Sequence, residues 1–161
     1  MSAPDIAAAV LAKASAYDNR RPQGTTIAER AESQRITVAA WAEALDDMTR
    51  ADALDAVTEH YASTRDWLMP ADINRIVATH RRARITADHS LGPAYPDGLG
   101  DDPALEAAWI AHRQEAIGQG ATRTQAAAYA WERINRTPPH TLEATTHNVR
   151  ILTNHIGKKS A

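Results

Sequence analysis

The sequence predicts an all-α fold, and three observations carry that expectation. Apolar residues make up 43% of the chain, but alanine dominates them, Phe is absent and only 5% of residues are aromatic. Alanine has the best helix propensity of any residue. Apolar positions recur at spacings of three and four behind Ser/Thr-x-x-Asp/Glu pairs, the pattern of capped amphipathic helices. Alternating runs of Val, Ile, Thr and Tyr, which would mark strands, are missing. Because a buried alanine removes little area from water, the four Trp and four Tyr are expected to anchor the packing.

The elements follow in order. Ser2-x-x-Asp5 reads as a capping box opening a first helix with Ile6, Val10, Ala14 and Tyr17 on one face. The run Asn19-Arg20-Arg21-Pro22-Gln23-Gly24 breaks it. Thr26-x-x-Glu29 opens a short second helix with Ile27 and Ala31. A third carries Val38, Trp41, Ala42, Leu45 and Met48 and ends at Asp46-Asp47. Thr49-x-x-Asp52 caps a fourth with Leu54, Val57 and Tyr61 on one side. Pro70 disfavours helix at Met69 but suits the first turn of a fifth helix, where Asp72 meets the positive end of the dipole. Ile73, Ile76 and Val77 point inward, and the helix is expected to finish in His80-Arg81-Arg82-Ala83-Arg84.

Between Thr86 and Pro103 the periodicity stops among Gly92, Pro93, Pro96, Gly98 and Gly100. This composition predicts a linker over 86–102. It divides a compact N-terminal bundle of four to five helices (1–85) from a smaller three-helix C-terminal group (103–161). In that group Leu105, Ala108, Trp109 and His112 share a face that ends near Gly118 and Gly120. Ala127, Ala130, Trp131 and Ile134 share the next, stopped by Pro138-Pro139. Leu142, Thr145, Val149, Leu152 and Ile156 form the last.

The chemistry is sparse. The absence of Cys excludes disulfides, thiol catalysis and Cys-based zinc sites. Seven His residues include no His-Glu-x-x-His, and His140, His147 and His155 lie too far apart to be adjacent ligands on a helix. No phosphate loop, Gly-x-Gly-x-x-Gly or Gly-x-Ser-x-Gly occurs. Adjacent carboxylates such as Asp46/Asp47 and Asp101/Asp102 point apart on a helix. The expectation is therefore a protein without catalytic residues, cofactor or metal. The Met1-Ser2-Ala3-Pro4-Asp5 start lacks the basic region of a signal peptide, and no apolar run approaches the roughly 20 residues that span a bilayer. A cytoplasmic location with no membrane partner is the expectation.

A net charge of −2 gives no global attraction to nucleic acid, so any such contact needs a local patch. Arg75, Arg81, Arg82 and Arg84 supply one candidate, read either as compensation of the helix C-terminal dipole or as a contact to phosphate or an acidic partner. Arg133, Arg136 and Arg150 supply another, on the last two predicted helices. Trp41, Trp109 and Trp131 belong to apolar stripes and are expected in the core. Trp67 either plugs a gap between helices or anchors a partner.

Residues 36–84 have a recognisable order. A helix with Trp41-Ala42-Glu43-Ala44-Leu45-Asp46-Asp47 leads into Ala53-Leu54-Asp55-Ala56-Val57-Thr58-Glu59-His60-Tyr61 and then Trp67-Leu68-Met69-Pro70-Ala71-Asp72-Ile73. This resembles the N-terminal helical domain of bacteriophage replicative-helicase loader/inhibitor proteins, and similar small replication-accessory proteins of actinobacterial phages. With the first helix, the resemblance covers about half of the chain. Members commonly have Phe-Pro where this chain has Trp67 followed by Met69-Pro70. The resemblance implies a compact bundle, the replicative DNA helicase as partner, and the host bacterial cytoplasm as location. Two other readings stay open: a DNA-binding helical regulator, and a small structural or assembly protein that associates with itself.

Overall fold

A computed structural model describes residues 2–18, 25–45, 47–92, 98–99 and 102–137. Among them are six helices and no strand: α1 (Ala3–Tyr17), α2 (Ile27–Ala44), α3 (Arg50–Ser63), α4 (Pro70–Ser90), α5 (Pro103–Gly118) and α6 (Arg123–Arg133). The protein is all-α. Its contacts divide it into two units, 1–84 and 85–161, with the division falling inside α4.

The starts of the helices follow the sequence closely. Ser2 donates from both its backbone N–H and its Oγ to Asp5, at 2.9 and 2.7 Å. Thr26 and Glu29 form a reciprocal box at the head of α2, and Thr49 Oγ1 accepts the Asp52 N–H at 3.1 Å. Pro70 is the first residue of α4, and Asp72 accepts the Met69 N–H at 3.1 Å. Each arrangement satisfies backbone donors that a helix N-terminus leaves unpaired.

Three expectations about extent are corrected. The short second helix and the third are one, because nothing between Glu32 and Thr37 breaks a helix; an Arg35–Glu32 ion pair at 2.7 Å spans that stretch. α4 does not finish at Arg84. Residues 86–90, expected to open the linker, are its last turns, and the chain first turns away at Gly92, whose φ of 98° suits glycine. The third is α6, which stops at Arg133 well before the prolines; α5 ends near Gly118 and Gly120 as expected, and both ends use left-handed caps. Gly120 at φ 93° lets the Ala121 N–H reach the Ala116 carbonyl at 3.0 Å, and Asn135 at φ 56° lets the Arg136 N–H reach Trp131 at 3.1 Å. Asn135 thus ends α6 ahead of the two prolines. Pro138-Pro139 and the predicted last helix from Leu142 to Ile156 lie outside the described residues, as do Asn19–Gly24.

The core of the first unit is built mainly from small residues. Ala7, Ala14, Ala53 and Ala56 are at most 2% exposed, and they bring α1 and α3 close together. Trp41, Met48, Leu68, Ile73, Ile76 and Val77 supply the bulk that fills the remaining space. Leu45 packs against this cluster although it lies just past the end of α2. The buried face of α3 is turned toward Ala53, Ala56, Val57 and His60, so Leu54 and Tyr61 sit at its edge. His60 contacts the Asp66 carbonyl through Nε2 at 3.0 Å, tying the end of α3 to the connection that follows.

The second unit centres on a helical hairpin of α5 and α6. Trp109 and Trp131, 3% and 4% exposed, meet edge to face with ring centres 6.1 Å apart over Ala130. Such pairing adds to the large area that two indoles remove from water. A second cluster joins Ala116, Ile117 and Ala126 with Ile85 and Tyr129.

Candidate interaction surfaces

The basic cluster expected at a helix end lies within α4, where the helical repeat splits it. Arg81 donates to the Asp47 carbonyl, and Arg84 pairs with Asp52, whose side chain is 3% exposed. Both guanidiniums therefore hold α4 against the start of α3. Burial pushes the Asp52 carboxyl up, but the hydrogen bond and charge of Arg84, helped by Thr49 and Arg81, outweigh it and the net shift is downward. Arg75 and Arg82 face the other way and are exposed. They stand two turns apart on one row of α4, with Arg75 touching Asp72 only at 3.8 Å.

Trp67 and Met69 are 39% and 53% exposed, while Leu68 between them is fully buried. Exposure thus alternates along 67–69, as it does where successive side chains point to opposite sides. Leu68 takes the gap-filling role considered for Trp67, so Trp67 and Met69 form a small apolar surface beside Pro70. Trp41, Trp109 and Trp131 are buried as expected.

Arg133 and Arg136 are both exposed at and after the end of α6. Arg150, with His140, His147 and His155, lies outside the described residues. Among the described residues no group of three or more His, Asp or Glu is placed to hold a metal ion, and no helix is long and apolar enough to cross a membrane.

No protein-family model, curated protein or solved structure matches this chain.

The structure adds two features that sequence reasoning missed. The first is a charged hub in the second unit. Arg113 on α5 donates two parallel hydrogen bonds to Asp88 on α4, at 2.8 and 2.9 Å, with both side chains 6% exposed. Arg123 on α6 reaches the same carboxylate at 3.0 Å and the Gly92 carbonyl at 3.0 Å. Hydrogen bonding to Arg113, against an opposing effect of burial and with the charges of Arg113 and Arg123, holds the Asp88 carboxyl below its ordinary range. Both Asp52 and Asp88 thus have folded-state values below those of the unfolded chain. Their stabilisation is complete above about pH 4 and is lost as pH falls through the depressed values. Urea midpoints are expected to stay level from pH 8 to 5 from this source and to drop below about pH 4. A midpoint unchanged down to pH 3 would contradict these pairings.

The second feature is the N-terminal part of α2. Every residue from Ile27 to Ile36 is exposed, including Ile27 at 85% and Ile36 at 58%. Ile36 lies in a shallow open groove lined by Ala28, Glu29, Glu32, Ser33 and Thr37, on the side of the helix opposite Trp41.

Proposed function

We propose that this chain is a non-enzymatic, phage-type replication accessory protein that binds the replicative DNA helicase as a loader or inhibitor. One observation supports the reading most. Trp41, Val57, Leu68 and Ile73, drawn from the three segments that carry the family resemblance, meet in one core, with Leu45 and Tyr61 packed against it. A compact bundle of these segments is what the resemblance implies. The residues of the signature then divide by role. Trp41, Leu68 and Ile73 hold the scaffold, while Trp67 and Met69 present an apolar contact surface. Residues 103–161 are the half of the chain expected from sequence to supply most of the binding to the same partner, with 1–85 as the scaffold.

The reading is tested by mixing the full chain with the replicative helicase of the phage or its host and separating the products by size. Co-elution is expected. Trp67→Ala should weaken the complex about tenfold or more, as truncation of a buried aromatic anchor does, while leaving helix content unchanged. Absence of a complex with either helicase would sink the proposal.

The exposure of Arg133 and Arg136 favours a second reading, direct duplex binding by the second unit. It requires affinity that falls with salt and with neutralisation of Arg133, Arg136 and Arg150.

A further inference from the structure

The exposed length of α2 needs a physical explanation that the core of its own unit does not supply. Apolar side chains gain from leaving water, yet Ile36 stands on the outer row of α2 at 58% exposure. With 3.6 residues per turn, that row runs Glu29, Glu32, Ile36, Ala40 and Glu43, all exposed, with Ala39 at its edge. Every charge on it is negative. Glu29 is engaged by the helix cap and Glu32 by Arg35 at the side of the row. The outer row of α4 in the same unit has the opposite character. It runs Ala71, Arg75, Ala78 and Arg82, with exposed guanidiniums on either side of a small residue and Asp72 at its edge.

One surface therefore presents an isoleucine between acids, and the other presents alanine between arginines. Their signs and shapes are complementary: a branched side chain can seat on small residues while long charged side chains pair around it. Both rows point away from the core of the unit that carries them, so one copy cannot bring its own two rows together.

We propose that the outer row of α2 docks on the outer row of α4 of a second copy of this chain. Such an interface is heterologous: a docked pair keeps one unused face of each kind, one on each copy, so association continues into a ring or an open chain. This goes beyond helicase binding and does not depend on it.

Sedimentation at increasing concentration tests the proposal, with circular dichroism checking that each variant stays helical. The wild-type chain is expected to rise in mass above the 17.5 kDa monomer and to return toward it at high salt. Ile36→Glu, blocking the α2 face, and the double variant Arg75→Glu/Arg82→Glu, blocking the α4 face, should each stay monomeric alone. Mixed together they should form a one-to-one dimer and nothing larger, because each retains the face the other lacks. A wild-type chain that stays monomeric at all concentrations would overturn the proposal. So would blocked variants that still self-associate, or a mixture that forms no dimer.

Discussion

Replacing Arg113 with methionine is expected to destabilise the second unit by about 3 kcal/mol, toward the lower end of the 3–5 kcal/mol typical when one partner of a buried ion pair is removed. The variant leaves the Asp88 carboxylate, on a side chain 6% exposed, without its bidentate donor. Arg123 remains at 3.0 Å and limits the loss, but it is 41% exposed and partly screened by water. Amide hydrogen exchange resolves the effect by location. Protection in α5, α6 and the last turns of α4 should fall about a hundredfold, with α1 and α3 unchanged. Adding Asp88→Leu should recover much of the loss, because the double variant no longer buries an unpaired charge. Unchanged protection in Arg113→Met would mean that the hub adds nothing to the unit.

Leu68→Ala is expected to cost about 3–5 kcal/mol of the stability of the first unit, the range for emptying a fully buried leucine site. Leu68 is 0% exposed and reaches the cluster of Trp41, Val57 and Ile73 from a segment with no helical hydrogen bonds of its own. Its burial fixes the connection between α3 and α4, and with it the outward placement of Trp67 and Met69. Trp67→Ala, one residue away, should change stability far less. Urea denaturation followed by circular dichroism separates the two: a large drop in midpoint for Leu68→Ala and a small one for Trp67→Ala. Equal effects would show that the inward and outward assignments are wrong.

Local signals proved the most readable part of the sequence. The caps at Ser2, Thr26, Thr49 and Pro70 and the buried tryptophans follow from short-range chemistry, in which a hydroxyl or carboxylate three residues from a backbone donor has one obvious use. Helix ends were less legible. Residues 86–90 are helical because Asp88 finds Arg113 25 positions later and Arg123 beyond it, a pairing that no spacing rule reveals. The left-handed conformation of Asn135 is hard to read for a different reason: asparagine adopts it far less often than glycine, and the prolines after it are the stronger stop signal. The basic cluster shows the same limit. Arg81 and Arg84 look alike with Arg75 and Arg82 in sequence, and only the positions of Asp47 and Asp52 in space turn the first pair inward. Surfaces were the least legible feature, because periodicity locates the side of α2 that packs but not how far along the helix packing continues.

Calorimetric titration of the full chain into the replicative helicase tests the functional account most directly. A saturable heat with a defined stoichiometry, weakened about tenfold by Trp67→Ala, is the predicted result. Heats no larger than dilution, with the helicases of both the phage and its host, would contradict it.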